Sequence, residues 1–276
     1  MIEQRNSVLW HQLNGLLRYA LLHSMTRLMP LYVVNEYPKS GGSWIGEMVG
    51  DALGVPFPRN RLPVFRPSIL HGHFMQSWNV HNLLIVWRDG RDVLVSQYFH
   101  SLFKNDRGNA RLVDLCRADL GFADYSDVQG NMSAFMEYVF EQKCHPRFSW
   151  ADFTYRWAGC DRCVHVRYED MRTRPVEELR RIVGELSGSA PDIKQCERIV
   201  ENHSFEKMAG RKAGEENTRS FMRKGIVGDW ENYFDQDARE RFHAYAGDAL
   251  IKLGYENSDA WLRQHCDAFI KPKSYS

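Results

Sequence analysis

The sequence predicts an α/β fold: a single domain with a central parallel sheet flanked by helices, and a phosphate-binding loop similar to that of P-loop proteins. Three observations predict it. Short apolar runs alternate along the chain with longer segments of helical periodicity. Parallel strands require crossover connections, which such helices supply. The 276 residues, 43% of them hydrophobic, are enough to bury one sizeable core.

The N-terminal segment, residues 1–30, precedes the predicted main domain, residues 31–276. Its apolar residues at helical spacing are Leu13, Leu16, Leu17, Ala20, Leu21 and Leu28. Arg18, His23 and Arg27 interrupt this run well short of the roughly 20 residues that a membrane span requires. No compact apolar region ending in a small-residue cleavage site marks a signal peptide. The segment is either a helix packed on the core or a helix that contacts a membrane surface.

The first predicted strand is the β-branched run from Leu31 to Asn35, and a turn rich in Pro, Gly and Ser follows it. The helix after this turn has one apolar face, formed by Trp44, Ile45, Met48, Val49, Ala52 and Leu53. A second buried strand is predicted from Leu83 to Trp87. The helix that follows it runs through Val93, Leu94, Tyr98 and Leu102.

The third predicted strand runs from Val164 to Val166, and Pro175 can open the next helix. The apolar face of that helix consists of Val176, Leu179, Ile182, Val183 and Leu186. The long stretch from Asn105 to Phe153 has mixed character, and we expect helices and a mobile loop there. Ligands of parallel α/β sheets bind where strands end and helices begin, and two of the three predicted strand ends are rich in Lys, Arg, Ser and Gly.

Charge and cysteine content exclude some classes of protein. Lys and Arg number 36 against 35 Asp and Glu, so the net charge of +1 offers no overall field for nucleic acid. Six scattered cysteines are too few for a disulfide framework, and free thiols fit a reducing compartment. Cys160 and Cys163 have the spacing of half a zinc site or of a redox motif, but no second pair follows. We therefore predict structural or incidental cysteines and no metal site.

The loop after the first strand reads Tyr37-Pro38-Lys39-Ser40-Gly41-Gly42-Ser43-Trp44. Glycines let backbone N–H groups approach an anion, Lys39 supplies a positive charge, and Ser43 supplies a hydroxyl at the start of a helix. In a Walker A loop the lysine follows the last glycine, whereas here it precedes both. The pattern fits a phosphate cradle, and the alternative is an ordinary glycine turn with a surface lysine.

Five short segments, in one order along the chain, resemble the cytosolic sulfotransferase family, whose members use 3′-phosphoadenosine 5′-phosphosulfate (PAPS). The family's PKSGTTW loop is similar to residues 38–44, and its RKGxxGDW loop is similar to residues 223–230. An Arg followed eight positions later by a Ser matches residues 88–96. Tyr168-Glu169-Asp170 and Ser204-Phe205 resemble the family's adenine-contacting tyrosine and phenylalanine positions.

The resemblance implies where PAPS binds. The 5′-phosphosulfate would contact Lys39, Ser40, Gly41, Gly42, Ser43 and Trp44. Trp44 and Phe205 would sandwich the adenine, and Tyr168 would touch its edge. The 3′-phosphate would be held by Arg88, Ser96, Arg223, Lys224 and Gly225. Planar Arg groups suit a phosphate, and stacking on a base is worth about 1–3 kcal/mol.

The resemblance also implies in-line transfer of a sulfuryl group to a hydroxyl or amine, with adenosine 3′,5′-bisphosphate (PAP) as the product and no metal required. The family's base is the histidine of a K-T-H-L stretch, which aligns with His71-Gly72-His73-Phe74. His73 takes the base position, His71 replaces the family's lysine, and either histidine could act as the base. Imidazole titrates near pH 6.5 and suits this role. Lys39 is the third candidate catalytic residue.

The acceptor, the oligomeric state, the compartment and the competing functions are left open or answered only as expectations. The acceptor is a small molecule, a lipid-like hydroxyl or a carbohydrate, and a homodimer is neither predicted nor excluded. The glycosylation sequon Asn202-His203-Ser204 adjoins Phe205, where a glycan would block the cofactor, so we expect a cytoplasmic protein.

The competing functions are a Mg²⁺-dependent kinase or NTPase and a non-catalytic protein that binds 3′-phosphoadenosine compounds.

Overall fold

The computed structural model describes residues 8–22, 29–59, 62–76, 81–141 and 146–263. In chain order its elements are α1 (Val8–Ala20), β1 (Leu31–Glu36), α2 (Gly42–Leu53), β2 (Ser68–Gly72), β3 (Asn82–Trp87), α3 (Gly90–Leu102), α4 (Ala110–Leu120), α5 (Val128–Phe140), α6 (Trp150–Trp157), β4 (Val164–Arg167), α7 (Tyr168–Thr173), α8 (Pro175–Ser187), α9 (Ile193–Asn202), α10 (Phe205–Ala209) and α11 (Gln236–Lys252). Short 3-10 turns lie at Asp229–Asn232 and Asp259–Arg263.

The chain divides into two compact units. The first contains the residues up to Arg88 together with Cys160–Glu216, and the second contains Asp89–Gly159 together with the residues from Asn217 onward. The predicted boundary between residues 30 and 31 stays a prediction, and Leu28 lies outside the described residues.

The first unit is built on a parallel sheet of strand order β2-β1-β3-β4. This confirms the predicted α/β class with a central parallel sheet flanked by helices. The three predicted strands are present as β1, β3 and β4, each within one residue of its expected bounds. The inner strands β1 and β3 are almost wholly buried, because helices cover both faces of such a sheet. One core cluster includes Val34, Ile45, Met48, Ile69, Leu84, Leu179 and Ile182.

The strand β2 is absent from the sequence prediction. It has only five residues, Ser68–Gly72. Because Ser68 and His71 are polar, only two apolar residues stand in a row, which is too short a run to indicate a strand. All but Gly72 are buried. This strand is buried because it pairs with β1, with Val34 opposite His71, and its composition alone does not indicate that burial.

The second unit is helical in its described part. The helix α3 is buried nearly all round, including the predicted Val93, Leu94, Tyr98 and Leu102. Helices α4, α5 and the start of α6 occupy the stretch from Asn105 to Phe153, where helices were expected. An aromatic cluster forms the core around Trp150, Trp230, Phe242 and Trp261.

The expectation that all cysteines are free thiols is wrong for one pair. A turn closed by the Cys163 N–H donating to the Cys160 carbonyl brings these residues together just before β4, with Cα atoms 5.6 Å apart, and they form a disulfide. Cys116 and Cys196 are free and buried. Cys144 and Cys266 lie outside the described residues.

The helix α1 has exposed Leu13 and Leu16, whereas Leu21 and Leu22 just beyond it are buried. Among the described residues, no helix has the length and apolarity needed to cross a membrane. Both interpretations of the N-terminal segment therefore stay predictions.

Candidate functional site

The loop between β1 and α2 has an unusual backbone. Lys39 has a φ of 76°, which side-chain-bearing residues seldom adopt, and Gly41 has a φ of 97° at the N-cap of α2. The Ser40 N–H donates to the Tyr37 carbonyl over 3.1 Å and closes the turn. Strain of this kind costs about 1–3 kcal/mol and persists mainly at functional positions. The loop thus brings Lys39 and the start of α2 together at the carboxyl end of β1.

Three predicted cofactor residues meet above this loop. The ring of Tyr168 packs on Gly41 so closely that a Cβ atom at position 41 would lie 2.6 Å from it. Trp44 meets the same ring edge to face, with centroids 5.8 Å apart. The Arg88 guanidinium lies 4.5 Å from the centre of the Tyr168 ring and donates to the Lys39 carbonyl over 3.1 Å. The ends of β1, β3 and β4 therefore converge, as expected for a parallel sheet.

Phe205 is tied to the same region through the backbone. The Trp44 indole N–H donates to the His203 carbonyl over 2.8 Å, two residues before Phe205. The Ser204 hydroxyl caps α10, of which Phe205 is the first residue. Phe205 is buried, and the Arg211 guanidinium lies 5.2 Å from its ring centre.

The remaining loop residues differ in their surroundings. Ser40 is fully buried, and its hydroxyl has no hydrogen-bond partner within the described ranges. Ser43 is half-buried in the first turn of α2. The Gly42 N–H donates over 2.5 Å to the carboxylate of Glu36, the last residue of β1. Ser40 and Ser43 stay predicted contacts, whereas the amide of Gly42 already donates to Glu36.

The two candidate bases lie at and just after the end of β2, and both contact Glu36. Nε2 of His71 lies 2.8 Å from the Glu36 carboxylate, and Nδ1 of His73 lies 2.8 Å from the Glu36 carbonyl oxygen. Their ring centroids are 5.4 Å apart. Because a carbonyl oxygen can only accept, Nδ1 of His73 carries the proton, and the lone pair of the neutral ring is on Nε2. His71 is buried, whereas His73 is half-buried.

The sequence interpretation missed Glu36. Burial raises the pKa of this carboxyl, but the hydrogen bond from His71, the positive charge that the two histidines carry when protonated, and the Gly42 N–H outweigh burial and hold its pKa below the usual range. The side chain fills the space beside Gly42 so completely that a Cβ atom there would lie 2.7 Å from the carboxyl carbon. The sequence signal was a charged residue at the end of an apolar strand.

The other predicted phosphate contacts belong to the second unit. Arg223 and Lys224 both bind the carboxylate of Asp229, Lys224 over 2.6 Å. The Arg223 guanidinium also lies 4.2 Å from the ring centre of Phe99, one turn of α3 beyond the half-buried Ser96. Gly225, the next residue, has a φ of 66°. Ser96, Arg223, Lys224 and Gly225 are therefore held in one neighbourhood of this unit.

Two aspartates that organise this neighbourhood also escaped prediction. Burial raises the pKa of Asp229, but the hydrogen bonds and charges of Lys224 and Arg223 lower it by more, so its pKa lies below the usual value. Asp92 is 1% exposed and accepts from the N–H groups of Gly228 and Trp230, over 2.8 and 3.0 Å. These carboxylates fix the 223–230 loop to itself and to α3. No group of three or more His, Cys, Asp or Glu with the arrangement of a metal site occurs in the described part of the chain.

Comparison with known proteins identifies the family. The profile of the sulfotransferase domain matches residues 69–254, more than half of the chain. The chain belongs to the sulfotransferase family. The match begins beyond the 37–44 loop and includes both histidines, Arg88 and the 223–230 loop. The predicted resemblance is confirmed, and with it the class of the enzyme, a transferase of sulfuryl groups.

Individual relatives cover most of this sulfotransferase. Human sulfotransferase 1C2 is 32% identical over 258 residues, which span 76% of this chain and 79% of that protein. Mouse sulfotransferase 1E1 is 25% identical over 256 residues, spanning 76% and 80% of the two chains. Among solved structures, mouse sulfotransferase SULT7A1 complexed with PAP superposes with a TM-score of 0.60 at 18% identity, covering 85% of this chain and 88% of that one. The last comparison supports the fold.

Proposed function

We propose that this enzyme uses PAPS as its sulfuryl donor and releases PAP. The observation that carries the proposal is the junction of Lys39, Gly41, Tyr168 and Arg88, in which a strained lysine loop lies under an aromatic ring and a guanidinium. An anion at the start of α2 would meet the positive end of a helix and the charge of Lys39. The adenine would stack on Trp44 and Phe205, and Tyr168 would meet its edge. SULT7A1 and retinol dehydratase, which share the fold, were both solved with PAP.

The proposal also includes the 3′-phosphate contacts that the family resemblance implies. Ser96, Arg223, Lys224 and the Gly225 amide remain the predicted contacts, alongside Arg88 from the first unit. The double ion pair with Asp229 favours this role, because it holds two flexible cations in fixed positions before a ligand arrives. A planar Arg fork and a point-charge Lys together suit a phosphate dianion.

In the proposed reaction the acceptor oxygen or nitrogen attacks the sulfur of PAPS in line with the bond to the leaving phosphate. The new bond to sulfur forms as that S–O bond breaks, PAP leaves with the electron pair, and a base removes the acceptor's proton. We assign the base to His73. Its Nδ1–H is committed to the Glu36 carbonyl, which puts the lone pair on Nε2, whereas the Nε2 of His71 is committed to a carboxylate. Lys39 would stabilise the charge that develops on the leaving phosphate.

The acceptor is proposed only by class: a hydroxyl or amine on a small molecule, a lipid-like molecule or a carbohydrate. We also propose a cytoplasmic location, because a glycan on Asn202 would crowd the contact between Trp44 and the His203 carbonyl. A disulfide between closely spaced cysteines is compatible with that compartment, where such pairs are usually exchangeable. Cell fractionation would test the location.

The donor and the base are tested together. Radiolabelled PAPS is offered with four acceptor probes, 4-nitrophenol, cholesterol, tyramine and N-acetylglucosamine, and PAP binding is measured by calorimetry. We expect PAP to bind, Lys39→Ala to abolish transfer, and His73→Ala to lower kcat by about 100-fold or more with little change in PAP affinity. Binding of Mg²⁺-ATP without binding of PAP would favour a kinase, and PAP binding without transfer would favour a non-catalytic protein. Transfer that survives in His73→Ala would contradict the base.

A further inference from the structure

The carboxylate of Glu36 is a buried charge that the donor site does not obviously need. Glu36 is 4% exposed, and it lies at the carboxyl end of an inner strand, beside a loop proposed to hold an anion. A negative charge there opposes anion binding, and burying it is costly unless donors satisfy it. Its donors are specific: His71 bonds one carboxylate oxygen and Gly42 bonds the other. The main chain of the same residue accepts from His73.

We propose that Glu36 is a positioning residue for sulfuryl transfer, which couples both histidines and the first turn of α2 into one rigid arrangement. This inference rests on the proposed function. Through its carboxylate Glu36 orients the imidazole of His71, and through its carbonyl it fixes the tautomer of His73. The same carboxylate holds the Gly42 amide, so the side chain of Glu36 links the donor loop to His71, and the carbonyl of the same residue links it to the base His73.

The backbone around the histidines is held independently of this carboxylate. His71 pairs with Val34 in the sheet, and the Arg18 guanidinium donates to its carbonyl over 2.7 Å. The Asn35 side chain donates to the Phe74 carbonyl over 3.0 Å and accepts from the Phe74 N–H over 2.7 Å. What the carboxylate of Glu36 adds is therefore the orientation of the His71 ring and of the Gly42 amide, and not the course of the chain.

Gly42 and Gly72 are the small residues that this arrangement requires. A Cβ atom at position 42 would lie 2.7 Å from the Glu36 carboxyl carbon, and one at position 72 would lie 2.4 Å from the Phe74 ring. Both distances are well inside van der Waals contact. The glycine at position 42, where the family loop has a threonine, is thus explained by the carboxylate that occupies the space.

Glu36→Gln tests the proposal. The amide keeps the shape but has one acceptor oxygen, so it cannot accept from both His71 and Gly42; if the oxygen accepts from Gly42, the NH2 faces Nε2 of His71 and requires the other tautomer of that ring. We expect kcat, measured with radiolabelled PAPS and whichever of the four acceptor probes turns over fastest, to fall by about 100-fold. We expect the Kd for PAP to rise by no more than about threefold, because the variant removes a negative charge that opposes anion binding. Glu178→Gln is the matched control, since Glu178 is also a buried, ion-paired carboxylate of the first unit; its kcat and Kd should equal those of the wild type.

A second measurement tests the contacts of Glu36 in the wild type itself. In full-length protein labelled with ¹⁵N-histidine, His71 Nε2–H and His73 Nδ1–H should both give NMR signals protected from exchange, and Glu36→Gln should remove the first. Loss of either signal in the wild type overturns the proposal even if Glu36→Gln fails to fold. So does a folded Glu36→Gln protein with kcat within threefold of the wild type. If the wild type neither binds PAP nor transfers, the proposed function fails, while the NMR signals still report on the contacts of Glu36.

Discussion

Lys39 combines a positive charge with a backbone conformation that favours glycine. Its φ of 76° belongs to the left-handed region, where a Cβ atom approaches the following carbonyl. A glycine at position 39 would form the turn between Tyr37 and Gly41 without this strain, so the turn itself does not require a lysine. The proposed role of the Lys39 ammonium group beside the donor would explain the strain.

We predict that Lys39→Gly is more stable than Lys39→Ala by about 1 kcal/mol, although neither variant transfers sulfate. Both lack the side chain, so the comparison isolates the backbone. Thermal unfolding should show a Tm about 2–4 °C higher for the glycine variant. Equal Tm values would mean that Lys39 is not strained.

The contact between Gly41 and Tyr168 gives a second prediction at this scale. Gly41→Ala should lower the free energy of unfolding by about 1–3 kcal/mol and weaken PAP binding at least tenfold, because its Cβ would displace the Tyr168 ring. Gly54→Ala is the control, since Gly54 also has a positive φ but no atom within 4 Å of its Cβ position. It should lose about 1 kcal/mol and bind PAP normally. Unfolding in urea and calorimetry would measure both.

The site residues that the sequence indicates lie in one local motif, whereas those it does not indicate have partners that only the folded structure brings together. Lys39, Gly41 and Trp44 stand in one local turn, so their spacing alone indicates a cradle. Glu36 and Asp229 acquire their roles from partners supplied by the folded structure. Asp229 stands in the RKGxxGDW motif, but the resemblance implies a role only for Arg223, Lys224 and Gly225 of that loop. Glu36 lies in none of the five matched segments, and nothing in the sequence indicates its partners.

Among the elements, the 223–230 loop depends most on buried carboxylates. Asp229 binds Arg223 and Lys224, and Asp92 of α3 accepts from two backbone N–H groups of the loop. The loop contains no helix or strand before Asp229, so these contacts determine its conformation.

We predict that Asp229→Asn lowers PAP affinity at least tenfold and lowers stability by about 2 kcal/mol at pH 7. The pKa of Asp229 is lower in the folded protein than in the unfolded chain, where it is about 3.9. Its contribution is therefore present above pH 4 and lost as the pH falls through the folded pKa. The stability gap between wild type and variant, measured in urea, should shrink below pH 4.

Asp237→Asn serves as the control for this experiment. Asp237 also pairs with an arginine, Arg241, but it is exposed at the start of α11. Its loss should change stability by less than about 0.5 kcal/mol. A gap between wild type and Asp229→Asn that stayed constant down to pH 3 would contradict the lowered pKa.

Helices and strands were predicted correctly where the apolar pattern of the segment itself determines its structure. The strands β1, β3 and β4 and the helix α8 were found from apolar runs and from Pro175. The strand β2 was missed because its burial comes from pairing with β1, and the disulfide was missed because C-x-x-C spacing also fits metal and thiol motifs.

For the whole molecule, the proposed nucleotide should act as a folding ligand. A compound that binds only the native state stabilises it by about 2.7 kcal/mol at 100 times its Kd. We expect PAP at that concentration to raise the Tm by about 5–10 °C. The same concentration of 5′-AMP, which lacks the 3′-phosphate, should raise it much less. An equal shift with both nucleotides would mean that the 3′-phosphate is not recognised.

The order of segments along the chain has a consequence for biosynthesis. The first unit is assembled from two stretches, and the residues from Asp89 to Gly159 are made between them. A ribosome that adds 5–20 residues each second needs on the order of 4–14 seconds for that insertion. During this time β1 and β3 have been translated, but β4 has not yet reached them. Their apolar faces must therefore be shielded in the nascent chain, and chaperone dependence should be greatest while this middle stretch is being translated.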